Sequence, residues 1–265
     1  MLSDIQPVDV AGRKDFECAV EDVRTHVPGI DLAVVAGDLL QSRSTEDDFE
    51  WFLRTRARAG ISNWFEVAGN HDVRNRALFR RYFPVPDHYA IDVGNVRMLC
   101  LSDVASSSAT EVSAEAFAWW QRQVRKPGDR ILLTVTHAPL RGSGLFTAGM
   151  ASRQIRPSAP FEELLPQAKV AVWASGHSHL PQGFHRAAYV NPRLGGTCFL
   201  NVSAIRAARF KDSQSRILVF TEGSRTVWVR SRNHAAGQFN PRLDLALTLD
   251  RPFRGARDHP RRVEN

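Results

Sequence analysis

The chain has 265 residues, is 43% hydrophobic and carries a formal net charge of +7, enough for one large α/β domain or two small ones. No apolar stretch approaches the roughly 18 residues of a membrane span, and Met1-Leu2-Ser3-Asp4 enters polar sequence at once, so neither a membrane segment nor a secretory leader is expected. Cys18, Cys100 and Cys198 are few, odd in number and far apart, which excludes a disulfide framework and fits a reducing, cytoplasmic setting with the thiols in the core.

Leu2 to Gln6 reads as the end of a strand followed by a polar turn. Almost nothing precedes it, so this strand is short or begins upstream of Met1. Arg13 to His26 has helical spacing with Phe16, Val20 and Val23 as its apolar stripe. Asp31 to Ala36 is a continuous apolar run ending in Gly37-Asp38, the pattern of a strand buried on both faces of a parallel sheet. Thr45 caps the next helix, whose first turn carries Glu46, Asp47 and Asp48, and Gly60 ends it. Ile61 to Ala68 is a strand running into Gly69-Asn70-His71-Asp72, where Gly69 lets the chain bend. A helix from Arg74 to Phe83 follows.

His88 to Asp92 and Val96 to Ser102 flank Gly94-Asn95 as a hairpin. Ser113 caps a helix carrying Phe117, Trp120 and Val124, and Ile131 to Thr136 is a strand ending at His137. Arg141 to Ser158, rich in Gly, Ser and Arg, reads as a long mobile loop of the functional kind. Phe161 to Leu165 is a short helix, and Lys169 to Ala174 a strand ending in Gly176-His177-Ser178-His179. Thr197 to Val202, Arg216 to Phe220 and Thr226 to Arg230 follow with no helical pattern between them, so this half looks antiparallel. The expected fold is α/β: a four-layer α-β-β-α sandwich of two mixed sheets flanked by helices. Residues 1–250 form its single domain and the basic residues 251–265 a solvated, poorly ordered tail.

Polar residues recur at the expected strand ends: Asp4, Gln6, Asp38, Asn70, His71, His137, His177 and His179. Spacings of 34, 32, 67 and 40 residues between Asp4, Asp38, Asn70, His137 and His177 each leave room for a strand-and-helix excursion. Ligands in open α/β sheets bind at the carboxyl ends of the strands. Oxygen and imidazole donors without cysteine suit Mn, Fe or Zn, and they outnumber the needs of one tetrahedral ion. Singly, Asp38 reads as a turn residue, Asn70 as a residue tolerating left-handed backbone and His137 as structural. Their joint occurrence at successive strand ends is what points to a site.

These motifs carry a family resemblance. Asp4-x-Gln6, Gly37-Asp38, Gly69-Asn70-His71-Asp72, Thr136-His137 and Gly176-His177-Ser178-His179 resemble, in order, those of the calcineurin-like metallophosphoesterase superfamily. The resemblance implies a dinuclear site of two metal ions (Mn2+, Fe2+/Fe3+ or Zn2+). Asp4 and His179 would hold the first, Asp38 would bridge, and Asn70, His137 and His177 would hold the second. His71 would sit beside the metals as acid or transition-state stabiliser, with Asp72 behind it, orienting His71 or its loop. Gln6 stands where the family usually has His. Its amide either reaches the first metal or hydrogen-bonds within its own turn.

The chemistry expected is hydrolysis of a phosphate ester, a metal-bridging hydroxide attacking phosphorus in line with the leaving alkoxide. The substrate class is a small phosphoester: a nucleotide, a cyclic nucleotide or a glycerophosphodiester. Arg43, Arg74, Arg141 and Arg153 lie in or near the strand-end loops and can hold a phosphoryl oxygen. Among 35 basic residues only Lys14, Lys126, Lys169 and Lys211 are lysine, so nucleic acid is a second candidate partner and a nuclease a second reading. A non-catalytic scaffold ranks last, because its relatives are free to lose the residues retained here. His185 lies close enough after the last motif to line a substrate cleft. His26, His88 and His259 read as surface residues, and His234 as structural.

Overall fold

The structure is a computed structural model, and it describes residues 1–104, 110–207 and 212–263. The first helix, α1, runs Val10–His26 and begins three residues before the expected start, because Asp9 caps it by accepting from the Gly12 N–H at 2.8 Å. β1 (Ala33–Ala36), α2 (Glu46–Ala57) and β2 (Trp64–Val67) follow, with Asp48 reaching back to the Thr45 N–H at 2.8 Å to start α2. A 3-10 turn, Asp72–Asn75, separates β2 from α3 (Arg76–Tyr82), so the helix expected from Arg74 starts later. The hairpin is β3 (His88–Val93) and β4 (Val96–Leu101).

Next come β5 (Thr110–Glu111), α4 (Ala114–Arg125), β6 (Ile131–Thr136), β7 (Ile155–Arg156), α5 (Ala159–Ala168) and β8 (Val170–Ser175). Ser113 caps α4 by accepting from the Ala116 N–H at 3.1 Å. The segment from Arg141 to Ser158 carries more structure than a bare loop: two 3-10 turns, and β7 paired in parallel with β5. The remaining strands are β9 (Ala188–Asn191), β10 (Thr197–Asn201), β11 (Gln214–Phe220), β12 (Thr226–Asn233), β13 (Gln238–Phe239), β14 (Leu245–Thr248) and β15 (Arg261–Val263).

One sheet has seven strands in the order β15-β3-β4-β6-β8-β10-β9, with β4, β6, β8 and β10 mutually parallel. β10 therefore does not belong to an antiparallel second half, as the absence of helices around it suggested. It lies parallel to β8, and the antiparallel partner it does have, β9, shows no strand pattern in the sequence. The second layer joins the parallel pair β1-β2 to the antiparallel group β11, β12, β13 and β14. Residues 1–3 are the seam. Leu2 bonds on one side to Val34 and Ala36 of β1, while Met1 exchanges two backbone bonds with Arg216 of β11. The short first strand is thus the middle of its sheet.

Three apolar clusters fill the layers. One, with Val34, Val67, Leu133, Val172 and Val229, lies between the sheets. A second packs Trp119 and Trp120 of α4 and Phe161 of α5 on the large sheet, and a third packs Phe16, Phe49 and Phe52 of α1 and α2 on β1. This is the expected α-β-β-α sandwich. Two sequence expectations fail against it. The C-terminal segment is not an unstructured tail, since Phe253 is buried and β15 pairs with β3, although most of its described residues are exposed. Cys18 is exposed on α1, although Cys100 and Cys198 are buried as expected. No helix among the described residues is long and apolar enough to cross a membrane.

Candidate metal centre

The carboxyl ends of both sheets meet at one place. Asp4 follows the central seam, Asp38 follows β1 and Asn70 follows β2, while His137 follows β6 and His177 follows β8. Ligand atoms of Asp38, His137 and His177 all lie within 4.8 Å of one another, and so do those of Asp4, Asp38 and His179. Asp38 is common to both groups. Asn70 joins the first, its Oδ1 3.2 Å from His137 Nε2. Asp4, Asp38, Asn70, His137 and His177 are all buried; His179 is the half-exposed member.

Backbone conformation adds a signal absent from the sequence. Asp4, Asp38, His177 and His179 all have left-handed backbone, with φ of +52°, +54°, +62° and +52°. Each costs of order 1–3 kcal/mol for a residue with a side chain, and such strain collects at functional sites. The motif glycines serve the same cluster by leaving room. A Cβ on Gly176 would stand 1.7 Å from Ser3 Oγ and 2.4 Å from Asp4 Oδ2; one on Gly37 would meet the His137 ring at 2.4 Å. Gly69, expected to be needed for its bend, does not have positive φ; a Cβ there would strike Asp38 Oδ1 at 2.4 Å. Clearance around the ligands explains it.

Asp4, His137 and His177 are each oriented by a contact outside the cluster. Ser3 Oγ–H donates to Asp4 Oδ2 at 2.7 Å, as does the His177 N–H at 2.9 Å. His137 Nδ1 faces the Ala36 carbonyl at 2.9 Å, leaving Nε2 toward Asp38 Oδ2 at 3.2 Å. His177 Nε2 faces the Ser152 carbonyl at 2.8 Å, which turns Nδ1 inward to His137 Nε2 at 3.1 Å. Imidazoles held through one nitrogen with the other aimed at a carboxylate cluster are the arrangement metal ligands use.

Burial alone would raise the carboxyl of Asp4, but the His179 and His137 rings and the Ser3 hydroxyl hold it well below the usual range. Asp38 is also lowered against its burial, chiefly by His137. Burial pulls His137 down, yet Asp38 and Asp4 overcome this and push it up to about 10, whereas burial and His137 lower His177 to about 4. At neutral pH His177 is therefore a free base. A cation held there would take the place of a proton on His137 in balancing the buried carboxylates.

The residues fit a pair of hard cations. Gln6 Oε1 is buried without a hydrogen bond, Asp4 Oδ1 is buried facing His179 Nε2 at 3.0 Å, three glycines clear the space around Asp4, Asp38 and His137, and the donors are oxygen and imidazole throughout. The Gln6 amide does not turn back on its own loop: its Nε2 lies 3.0 Å from His179 Nε2 and 3.4 Å from Asp38 Oδ2.

His71 lies at the rim, half-buried. Its backbone N–H donates to Asp38 Oδ1 at 2.9 Å, and its Nδ1 meets Ser42 Oγ at 3.0 Å. Burial lowers its pKa below the ordinary value of 6.5. Asp72 holds the loop rather than the His71 ring, accepting from the backbone N–H of Gly69 at 2.8 Å, Leu39 at 3.1 Å and Leu40 at 3.3 Å. Burial pushes its carboxyl up to about 7. Arg153 donates to the His177 carbonyl at 2.7 Å, while Arg43, Arg74 and Arg141 are exposed. Sequence reasoning missed Ser3 and Ser42, because a serine beside an acidic residue or in a turn has no distinguishing pattern.

Two carboxylates, three imidazoles and two amides thus meet at the strand ends of an α-β-β-α sandwich. The family pattern described as calcineurin-like phosphoesterase matches residues 1–181, and the chain belongs to that family. It is 29% identical over 171 residues to the 3',5'-cyclic adenosine monophosphate phosphodiesterase CpdA of Pseudomonas aeruginosa, a match covering 62% of this chain and 60% of that protein. In fold it resembles the purple acid phosphatase PPD1 of yellow lupin, with a TM-score of 0.65 at 16% identity over 94% of this chain and 53% of that one. It also resembles TT1561 of Thermus thermophilus, with a TM-score of 0.51 at 12% identity over 90% and 95% of the two chains. The chain thus spans a little over half the length of CpdA and of the lupin phosphatase.

Proposed function

We propose that the chain hydrolyses a small phosphodiester, a cyclic nucleotide foremost, with two divalent cations held by the strand-end cluster. The observation that carries this reading is the pair of ligand groups sharing Asp38. Asp4, Asp38, Gln6 and His179 would hold one ion; Asp38, Asn70, His137 and His177 the other. Gln6 would bind through its amide oxygen. Turning the side-chain amide over exchanges N for O at the atom facing His179, and the buried, unpartnered Oε1 leaves that turn free. When bound, such ions lower the pKa of water and neutralise the phosphoryl oxygens.

The chain's own residues supply the rest. With the Ser42 hydroxyl donating to Nδ1, the His71 proton sits on Nε2, aimed away from Ser42. A ring kept neutral by burial donates a hydrogen bond to the departing alkoxide, and its share in catalysis is stabilising that charge. Asp72 keeps the loop that carries His71 against the loop that carries Asp38. Arg153, tied to the His177 carbonyl, places a guanidinium at the cluster's edge for a non-bridging oxygen. The similarity to a cyclic-AMP phosphodiesterase supports the diester reading over a monoester. The test is turnover of 3',5'-cyclic AMP, a nucleoside monophosphate and a glycerophosphodiester with Mn, Fe or Zn added. Cyclic AMP is expected to be the best substrate, and a clear preference for monoesters would overturn the diester reading.

A further inference from the structure

Two exposed aromatic rings stand on the segments that follow the His137 and His179 strand ends, and the reaction described above uses neither. Phe146 is 48% exposed and Phe184 is 39% exposed. Their centroids are 5.0 Å apart with planes at 68°, and the His185 ring lies 6.3 Å from Phe146. Large apolar side chains on a surface normally stand singly; a paired group marks a place where something binds.

The exposure is not slack in the chain. Leu145, Thr147 and Ala148 on either side of Phe146 are buried, and the Phe146 N–H donates to the Arg186 carbonyl at 3.3 Å, joining the two segments. A turn closes around Phe184, whose N–H donates to Pro181 and whose carbonyl accepts from Ala187. The backbone is fixed while the rings point out.

Both segments are anchored on candidate ligands. The Phe146 segment ends on His177, through Ser152 and Arg153. The Phe184 turn begins at Pro181, two residues after His179. Ser152 is six positions after Phe146, so their Cα atoms are at most roughly 22 Å apart, and the 3-10 turn at Ala151–Arg153 shortens this. The open faces of an edge-to-face pair at that range suit a planar base whose sugar phosphate reaches the metals.

We propose that Phe146 and Phe184, with His185, form a stacking subsite for the nucleobase of a nucleotide substrate. The proposal rests on the phosphoesterase reading and narrows its substrate class to esters bearing an aromatic base. Glycerophosphodiesters leave this subsite unused.

The test is equilibrium binding of adenosine 5'-monophosphate and of ribose 5-phosphate to the protein supplied with Mn2+. The same titrations are made on Phe146→Ala, Phe184→Ala, the double variant and Phe184→Trp. The unsubstituted protein is expected to prefer the nucleotide by about tenfold, the scale of one base–aromatic stack. Either alanine variant removes most of that preference, and Phe184→Trp retains it. Equal affinity for the two ligands in the unsubstituted protein, or a preference surviving the double substitution, overturns the proposal. Failure of the phosphoesterase reading shows separately, as absence of turnover of any phosphoester under every metal.

Discussion

Single residues decide the site by the space they leave as much as by the atoms they present. Gly176 faces Ser3 Oγ and Asp4 Oδ2, so Gly176→Ala is expected to displace Asp4 and abolish high-affinity binding of at least one ion, read as metal per chain after dialysis. His71 differs from the ligands in kind. His71→Ala is expected to keep its metals and to lose about 10²–10³-fold in kcat, the range for one hydrogen-bond donor to a developing oxyanion. Ser42→Ala, which leaves the ring but frees its Nδ1, is expected to cost less, about tenfold in kcat at unchanged metal content. An equal loss in the two variants would deny Ser42 the positioning role. The chemistry-bearing residues were legible in the sequence because each ends an apolar run. Ser3, Ser42 and the left-handed backbone at Asp4, Asp38, His177 and His179 were not, since they depend on contacts between segments far apart in the chain.

At the scale of elements, helices and buried strands showed themselves by period, and what failed was pairing. β9 and β15 lie at the two edges of the seven-stranded sheet, where alternation is weak and the partner strand decides. The seam at residues 1–3 is too short for any pattern, yet it joins β1 to β11. A buried ionic cluster ties α1 to the same sheet. Asp22 of α1 meets the Arg232 guanidinium of β12 and, at 2.7 Å, His234 Nδ1, whose Nε2 meets Ser215 of β11 at 2.9 Å. Burial alone would raise Asp22, but His234 and Arg232 hold it well below its ordinary 3.8. Asp22→Asn leaves Arg232 buried without its countercharge and is expected to cost about 3–5 kcal/mol in urea unfolding at pH 7. A carboxyl depressed on folding contributes stability above its unfolded pKa and loses it as pH falls through the folded one. The gap between the parent and Asp22→Asn is therefore expected to narrow below about pH 4. A gap constant with pH would show that Asp22 acts by shape alone.

For the whole molecule, many of the arginines are held in ion pairs. Ion pairs such as Arg13–Asp48, Arg81–Glu46, Arg97–Asp92 and Arg230–Asp244 lie on different elements, and none of them borders the metal cluster. A duplex-binding stripe would instead concentrate unpaired cations along one face. Turnover of a small diester is accordingly expected to change less than about threefold between 50 and 500 mM salt, whereas binding through several phosphate contacts would fall by orders of magnitude. The layers explain why both sheets are needed: one supplies Asp4, Asp38 and Asn70, the other His137 and His177, and neither carries a complete ligand set. The most direct test measures metal content and cyclic-nucleotide turnover on the same samples of the parent and of Asp38→Asn. The parent is expected to bind two ions per chain and to lose all turnover on chelation, and Asp38→Asn to lose both ions and activity together. Turnover that survives chelation, or an Asp38→Asn protein that keeps two ions and full activity, would contradict the account.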